Sequence, residues 1–231
     1  GVTWNAGLTF HETEGERITN DTYIRGFTAA LNGFGVCVDP ATGLDPATGT
    51  QPWSNPSYTG NLVQGQGGCE WYNPFSNAIA TNGVTGQANP NYVPGLENSA
   101  TLANWLTEGV GTVVTSNLLV FDAGLSGQSN VMAQGGAVSW ALGAQVRREG
   151  YKVDPNEVTD LAQSPGPGGT GPFSFLAGTN ASDTDQTIYA IFGELQIPLY
   201  DNLNVQVATR YEDYGGEIGS TFDPKVAVKW Q

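Results

Sequence analysis

Apolar and polar positions alternate with a period of two along six stretches of the chain, the mark of β-strands with one apolar and one polar face. The first sets Val2, Trp4, Ala6, Leu8 and Phe10 against Thr3, Asn5, Gly7, Thr9 and His11. The second sets Leu119, Phe121, Ala123 and Leu125 against Val120, Asp122, Gly124 and Ser126. The third sets Val138, Trp140, Leu142, Ala144 and Val146 against Ser139, Ala141, Gly143, Gln145 and Arg147. In the fourth, Tyr189, Ile191, Gly193, Leu195 and Ile197 oppose Ala190, Phe192, Glu194 and Gln196. In the fifth, Leu203, Val205, Val207, Thr209 and Tyr211 oppose Asn204, Gln206, Ala208, Arg210 and Glu212. The sixth sets Val226, Val228 and Trp230 against Lys225, Ala227 and Lys229.

The polar faces carry charged side chains at mid-strand, and the apolar faces end in Tyr189, Tyr211 and Trp230. Charge inside, apolar residues outside and aromatic girdles form the pattern of a wide outer-membrane barrel with a polar lumen. A soluble antiparallel sheet with its charged face in water alternates in the same way. On alternation alone the soluble sheet is the better reading.

Motifs on the strands change that balance. Residues 194–199 read E-x-x-x-P-L, residues 208–214 A-x-R-Y-x-D-Y, and residues 219–225 G-S-T-x-x-P-K. Upstream, 135–149 reads G-G-x-V-x-x-x-x-G-x-x-x-R-x-E. In this order the motifs resemble consecutive barrel strands of the TonB-dependent receptors of Gram-negative outer membranes, over roughly the last hundred residues. C-x-x-x-N-P-F at 69–75, after an earlier cysteine, resembles a long extracellular loop in a subset of these receptors.

The resemblance implies a location in the bacterial outer membrane and a barrel of ~22 strands around a plug. It implies TonB-energised uptake of a scarce ligand: oligosaccharide, peptide, siderophore or vitamin. The implied partners are outer-membrane lipid, the plug domain, the remaining strands, and TonB acting through an N-terminal region. No plug, energy-coupling box or closing C-terminal strand is legible in these residues, and the chain opens on a strand pattern. It therefore reads as a fragment or a processed piece.

Connection lengths support the barrel. They run long (13–108), short (127–136), long (152–183), short (198–202) and intermediate (213–221). Outer-membrane barrels have short periplasmic turns and longer extracellular loops, whereas a soluble sandwich has no reason to sort its loops this way. The expected fold is all-β: an antiparallel transmembrane β-barrel segment, about six strands of a larger barrel, with 13–108 and 152–183 as long extracellular loops. Strands one, three and five run outward. Val138, Trp140, Leu142, Val205 and Val207 are expected to face lipid. Gln145, Arg147, Glu194, Gln196, Arg210, Glu212, Lys225 and Lys229 are expected to face the lumen.

The long connection has its own punctuation. Residues 27–31 read as a short helix or a strand extension, and Ser99 as the N-cap of a helix over 99–105. Two tandem Asp-Pro-Ala-Thr-Gly runs, at 39–43 and 45–49, read as successive turns. Their two aspartates are too few to claim a calcium site. Cys37 and Cys69 read as one disulfide in an exported protein and as two free thiols in a cytosolic one. Their place in a polar stretch without clear periodicity favours the bridge, which would close a loop of about 33 residues and contribute ~3–4 kcal/mol. Trp53, Trp71, Tyr72, Phe75 and Trp105 either clamp a ligand or pack the loop against itself.

Charge narrows the partners. Twenty-two acidic residues against eight basic ones exclude a nucleic-acid partner, which needs a basic footprint. No run of 18 apolar residues exists, so no membrane helix is expected. The sequence shows no nucleophile elbow, P-loop or C-x-x-C, and its single histidine has no clustered partner. No enzyme activity, cofactor or metal site is expected. Residues 13–108 hold eight acidic and two basic residues. That surplus repels anions and favours a neutral or cationic ligand such as an oligosaccharide or peptide.

Overall fold

A computed structural model describes residues 1–231. Six strands form one sheet in sequence order: β1 (Val2–Thr22), β2 (Thr107–Ala133), β3 (Gly136–Pro155), β4 (Ser182–Tyr200), β5 (Leu203–Asp213) and β6 (Ser220–Trp230). The β3–β4, β4–β5 and β5–β6 pairs are antiparallel. The chain divides into two compact units: a sheet unit of residues 1–15, 114–153 and 182–231, and a loop unit of residues 16–113 and 154–181.

In the sheet unit, register sorts the side chains. Ala141 pairs with Glu194, Glu194 with Ala208 and Ala208 with Lys225. Likewise Gln145 pairs with Ala190 and Ala190 with Glu212, while Gly143 pairs with Phe192 and Phe192 with Arg210. Paired residues project from the same face, and alternate residues along a strand share it. Gln145, Arg147, Glu194, Gln196, Arg210, Glu212, Lys225 and Lys229 therefore all lie on one polar face. Trp140, Leu142, Leu195, Val205, Val207, Val226 and Val228 share the other. That face is not covered by the chain: Leu142 is 55% exposed, Val226 68% and Trp230 79%. An apolar surface this open fits lipid rather than water.

The apolar face also has the right height. Trp230 pairs with Leu203 at one end of β5, and Tyr189 pairs with Asp213 at the other. Ten residues separate these rows, ~33 Å along the strand and ~25 Å once tilted by about 40° as in outer-membrane barrels. That matches the apolar band of such barrels, with aromatic residues at both edges.

The strands outrun their alternating cores. β1 continues to Thr22, β2 begins at Thr107, and β3 reaches Pro155. The connections are consequently 23–106 and 156–181 rather than 13–108 and 152–183. The period-two signal marks only strand segments that hold an apolar face. Hydrogen-bonded extensions with water on both faces, such as residues 11–20, carry no such signal.

The loop unit has a core of its own. Ala29, Phe34, Val38 and Cys69 are buried together, with Cys37, Trp53, Leu62 and Trp105 packed against them. Helix α1 (Ile24–Leu31) covers the expected 27–31 and stops at Asn32. Gly33 follows with φ of +80°, a left-handed conformation that glycine adopts without strain. Helix α2 (Ala100–Leu106) starts at Ser99, whose hydroxyl accepts the Leu102 N–H at 2.9 Å. Both Asp-Pro-Ala-Thr-Gly runs close the same turn: Gly43 N–H donates to Asp39 O, and Gly49 N–H to Asp45 O. Cys37 and Cys69 are bridged, with Cα atoms 5.0 Å apart. A second core joins Tyr23, Val110 and Phe173, with Tyr23 and Phe173 stacked at 4.8 Å.

Candidate functional site

The polar face of the sheet unit is a hydrogen-bonded surface rather than a row of separate charges. Arg210 donates to Glu212 at 2.5 Å and to Gln145, two strands away, at 3.1 Å. Its guanidinium lies over the Phe192 ring at 5.7 Å. Phe192 in turn fills the space over Gly143, where an added Cβ would come within 2.1 Å of the ring. Gln206 donates to Glu194 at 2.6 Å, Tyr214 to Glu212 at 2.5 Å, and Arg147 pairs with Glu149 at 2.7 Å. Gln145, Arg210 and Glu212 thus form one linked group, and Glu194 with Gln206 a second, separate pair. Lys225 pairs in register with Ala208, and Lys229 with Asn204, so neither lies directly opposite a carboxylate. The roles of Phe192 and Gly143 were not legible. An aromatic residue among polar ones reads as a pattern error until the register sets a glycine beside it.

Further along the sheet, His11, Asn117, Glu149, Tyr151, Gln186 and Tyr214 line a groove of about 860 Å³. The Gln186 amide donates to Tyr214 O at 3.1 Å. Hydroxyls, amides and carboxylates border this groove and no lysine or arginine lines it. It can exchange hydrogen bonds with a polar ligand or with covering protein, but holds no nucleophile–base pair.

In the loop unit the five candidate aromatics do not form one cluster. Trp53 and Trp105 belong to the core: Trp53 lies 6.3 Å from Phe34, and Trp105 Nε1–H donates to Val38 O at 3.0 Å. Tyr72 meets Phe27 edge-on at 5.2 Å. Trp71 and Phe75 remain open, at 55% and 70% exposure. The Trp71 indole rests on Gly33 and Gly65, where any side chain would collide with it. Gly65 N–H donates to Gly33 O at 2.9 Å, so the floor beneath the indole is itself bonded. Trp71 is the candidate that is both exposed and held in place.

Several loop carboxylates have structural roles. Asp45 accepts from Ala47 N–H at 2.9 Å and from the Tyr58 hydroxyl at 2.7 Å. These bonds, the backbone one first, hold its carboxyl below the usual range. Burial, and then the Asp45 bond, raises the Tyr58 hydroxyl. Burial, with Glu108 and Asp39 nearby, pushes the Tyr23 phenol up to about 12. Asp21, buried, accepts from Thr22, Phe175 and Leu176 N–H groups and ties 175–176 to the end of β1.

The family model described as TonB dependent receptor-like, beta-barrel, matches residues 2–231 of the chain. No curated protein matches the chain. No solved structure matches it.

Proposed function

The chain belongs to the TonB-dependent receptor-like β-barrel family, and from that membership we propose that it forms part of the wall of an outer-membrane receptor importing a scarce ligand with energy from TonB. The family is one of outer-membrane receptors and transporters of Gram-negative bacteria, acting with a plug domain, TonB and a ligand. The observation that carries the reading to this chain is the two-faced sheet. Its open apolar face has the height of a bilayer core, and its other face is a bonded polar network. On this reading the apolar face meets lipid, and Gln145, Arg147, Glu194, Gln196, Arg210, Glu212, Lys225 and Lys229 face the lumen or plug. Connections 23–106 and 156–181 are extracellular.

The ligand proposed is an oligosaccharide or peptide rather than a polyanionic ferric siderophore. The acidic surplus of the long loop supports this by repelling multiple negative charges. Trp71 and Phe75 supply open aromatic faces for ring or apolar contact. The test is accumulation of labelled oligosaccharides and peptides by cells carrying the receptor, with and without a functional TonB. Accumulation that is equal in the two backgrounds would refute energised uptake.

A further inference from the structure

We propose that Arg25 and the cleft beside it form a subsite for a single carboxylate on the imported ligand. The inference rests on the receptor reading above and names the group that the ligand presents. The cleft has a volume of about 340 Å³ and lies within the loop unit. Its polar lining is Arg25, Thr42, Gln51, Gln163 and Ser164, with no acidic residue among its walls. The Ser164 hydroxyl makes no hydrogen bond within the chain, and the half-buried Arg25 guanidinium makes neither an ion pair nor a hydrogen bond.

An unpaired arginine is unexpected here. The loop unit holds ten carboxylates and two guanidiniums, Arg17 and Arg25. The nearby acids have other work. Asp39 accepts the Thr42 hydroxyl at 2.7 Å and the Thr42 N–H at 2.8 Å. Asp45 is held by Ala47 and Tyr58, and Asp21 by three backbone N–H groups. Asp160 accepts from Ala162 N–H and the Gln163 amide. Each carboxylate closes a turn or anchors a loop, so the donors of Arg25 keep no acceptor from the chain. A partly desolvated guanidinium without an acceptor gains most from a carboxylate, which its planar fork binds through two parallel hydrogen bonds.

Size and charge narrow the ligand. Small-molecule pockets run from about 300 to 1,000 Å³, so this cleft takes one sugar ring or one amino-acid residue. Pro165, Pro167 and Pro172 give it apolar walls. The surrounding acids penalise a second negative charge. The chemistry that fits is one carboxylate on an otherwise uncharged or zwitterionic molecule: the uronic-acid end of an oligosaccharide or the C-terminus of a peptide.

The test is phenylglyoxal labelling of arginines in the receptor in isolated outer membranes, read residue by residue by mass spectrometry. D-glucuronate and D-glucose form one arm, and N-acetylglycine and N-acetylglycinamide the other, with sodium sulfate as an ionic-strength control. The expected result is that at least one of the acids slows labelling of Arg25 by about threefold or more. Its neutral counterpart and sulfate should do nothing, and Arg17 should be unaffected by any probe. Protection by one acid only identifies the source of the carboxylate. Labelling of Arg25 that neither acid slows, or that glucose, the amide or sulfate slows equally, overturns the subsite. Labelling does not depend on import. An unprotected Arg25 in a receptor that imports sinks the subsite alone, and a protected Arg25 in one that does not import sinks the uptake reading alone.

Discussion

Arg210 on β5 reaches across β4 to donate a hydrogen bond to Gln145 on β3, 3.1 Å away, with the Phe192 ring beneath its guanidinium. The crossing is possible because Gly143 leaves room for Phe192 to lie flat on the polar face. The two residues are 65 apart in sequence, and the register of three strands brings them together. Replacing Gly143 by Val should tilt Phe192 and break this bridge. We expect the double-mutant coupling between Arg210→Ala and Gln145→Ala, measured by urea unfolding in detergent, to vanish in the Gly143→Val background. Coupling of unchanged size would contradict the arrangement.

The two faces of β5 should respond oppositely to charge. Val207 pairs with Leu195 and Val226 on the apolar face, whereas Gln206 already bonds a carboxylate, Glu194. We expect Val207→Arg to cost ~2–4 kcal/mol, the penalty for a basic residue near the bilayer midplane. Gln206→Arg should be close to neutral. Folding into vesicles followed by denaturant titration measures both, and equal penalties would argue against lipid on the Val207 face.

The Cys37–Cys69 bridge spans a sequence separation of 32 residues beside the buried Phe34 and Val38. Removing it with paired Cys→Ser changes should destabilise the loop unit by about 3–4 kcal/mol, chiefly by freeing its unfolded state. Proteolysis of intact cells is the measurement: cleavage within residues 38–68 should accelerate while the strands stay protected. An unchanged cleavage rate would mean that the core holds the loop without the bridge.

Among the aromatics, position separates structure from contact. Trp53→Ala and Trp105→Ala remove side chains packed on the loop core and should cost about 2–4 kcal/mol. Trp71→Ala removes an exposed indole and should leave stability within ~0.5 kcal/mol. Its effect is expected in ligand binding, measured by titration of the complete receptor. Full affinity in Trp71→Ala would assign the indole no role at the ligand.

Stability of the loop unit should fall in acid. The carboxyl of Asp45 is lowered by its bonds to Ala47 and Tyr58. A depressed folded-state pKa contributes stability that is complete above the unfolded value, about 3.9, and is lost as the pH falls through the folded one. Protease resistance of the loop should therefore drop below pH ~4, and Asp45→Asn should flatten the part of that drop due to this residue. A pH profile unaltered by the substitution would exclude Asp45 as a source.

Much of the sheet was determined by sequence alone. Six alternating stretches give strands whose apolar faces must leave water, and the short connections give the β2–β3 and β4–β5 neighbours, because antiparallel strands joined by short turns pair directly. The cap at Ser99, the paired turns at 39–49 and the family motifs were equally local, hence legible. Tertiary structure decided what depends on contacts distant in the chain. Register joined Arg210 to Gln145 and set Phe192 over Gly143. The packing of the long loop set Trp53 and Trp105 against its core but left Trp71 open, a division that five similar aromatic residues in a row of turns do not announce. The same packing drew Asp21, Asp39, Asp45 and Asp160 onto backbone and side-chain donors, leaving Arg25 without a partner. Composition counts charges, but only the folded chain determines which of them meet.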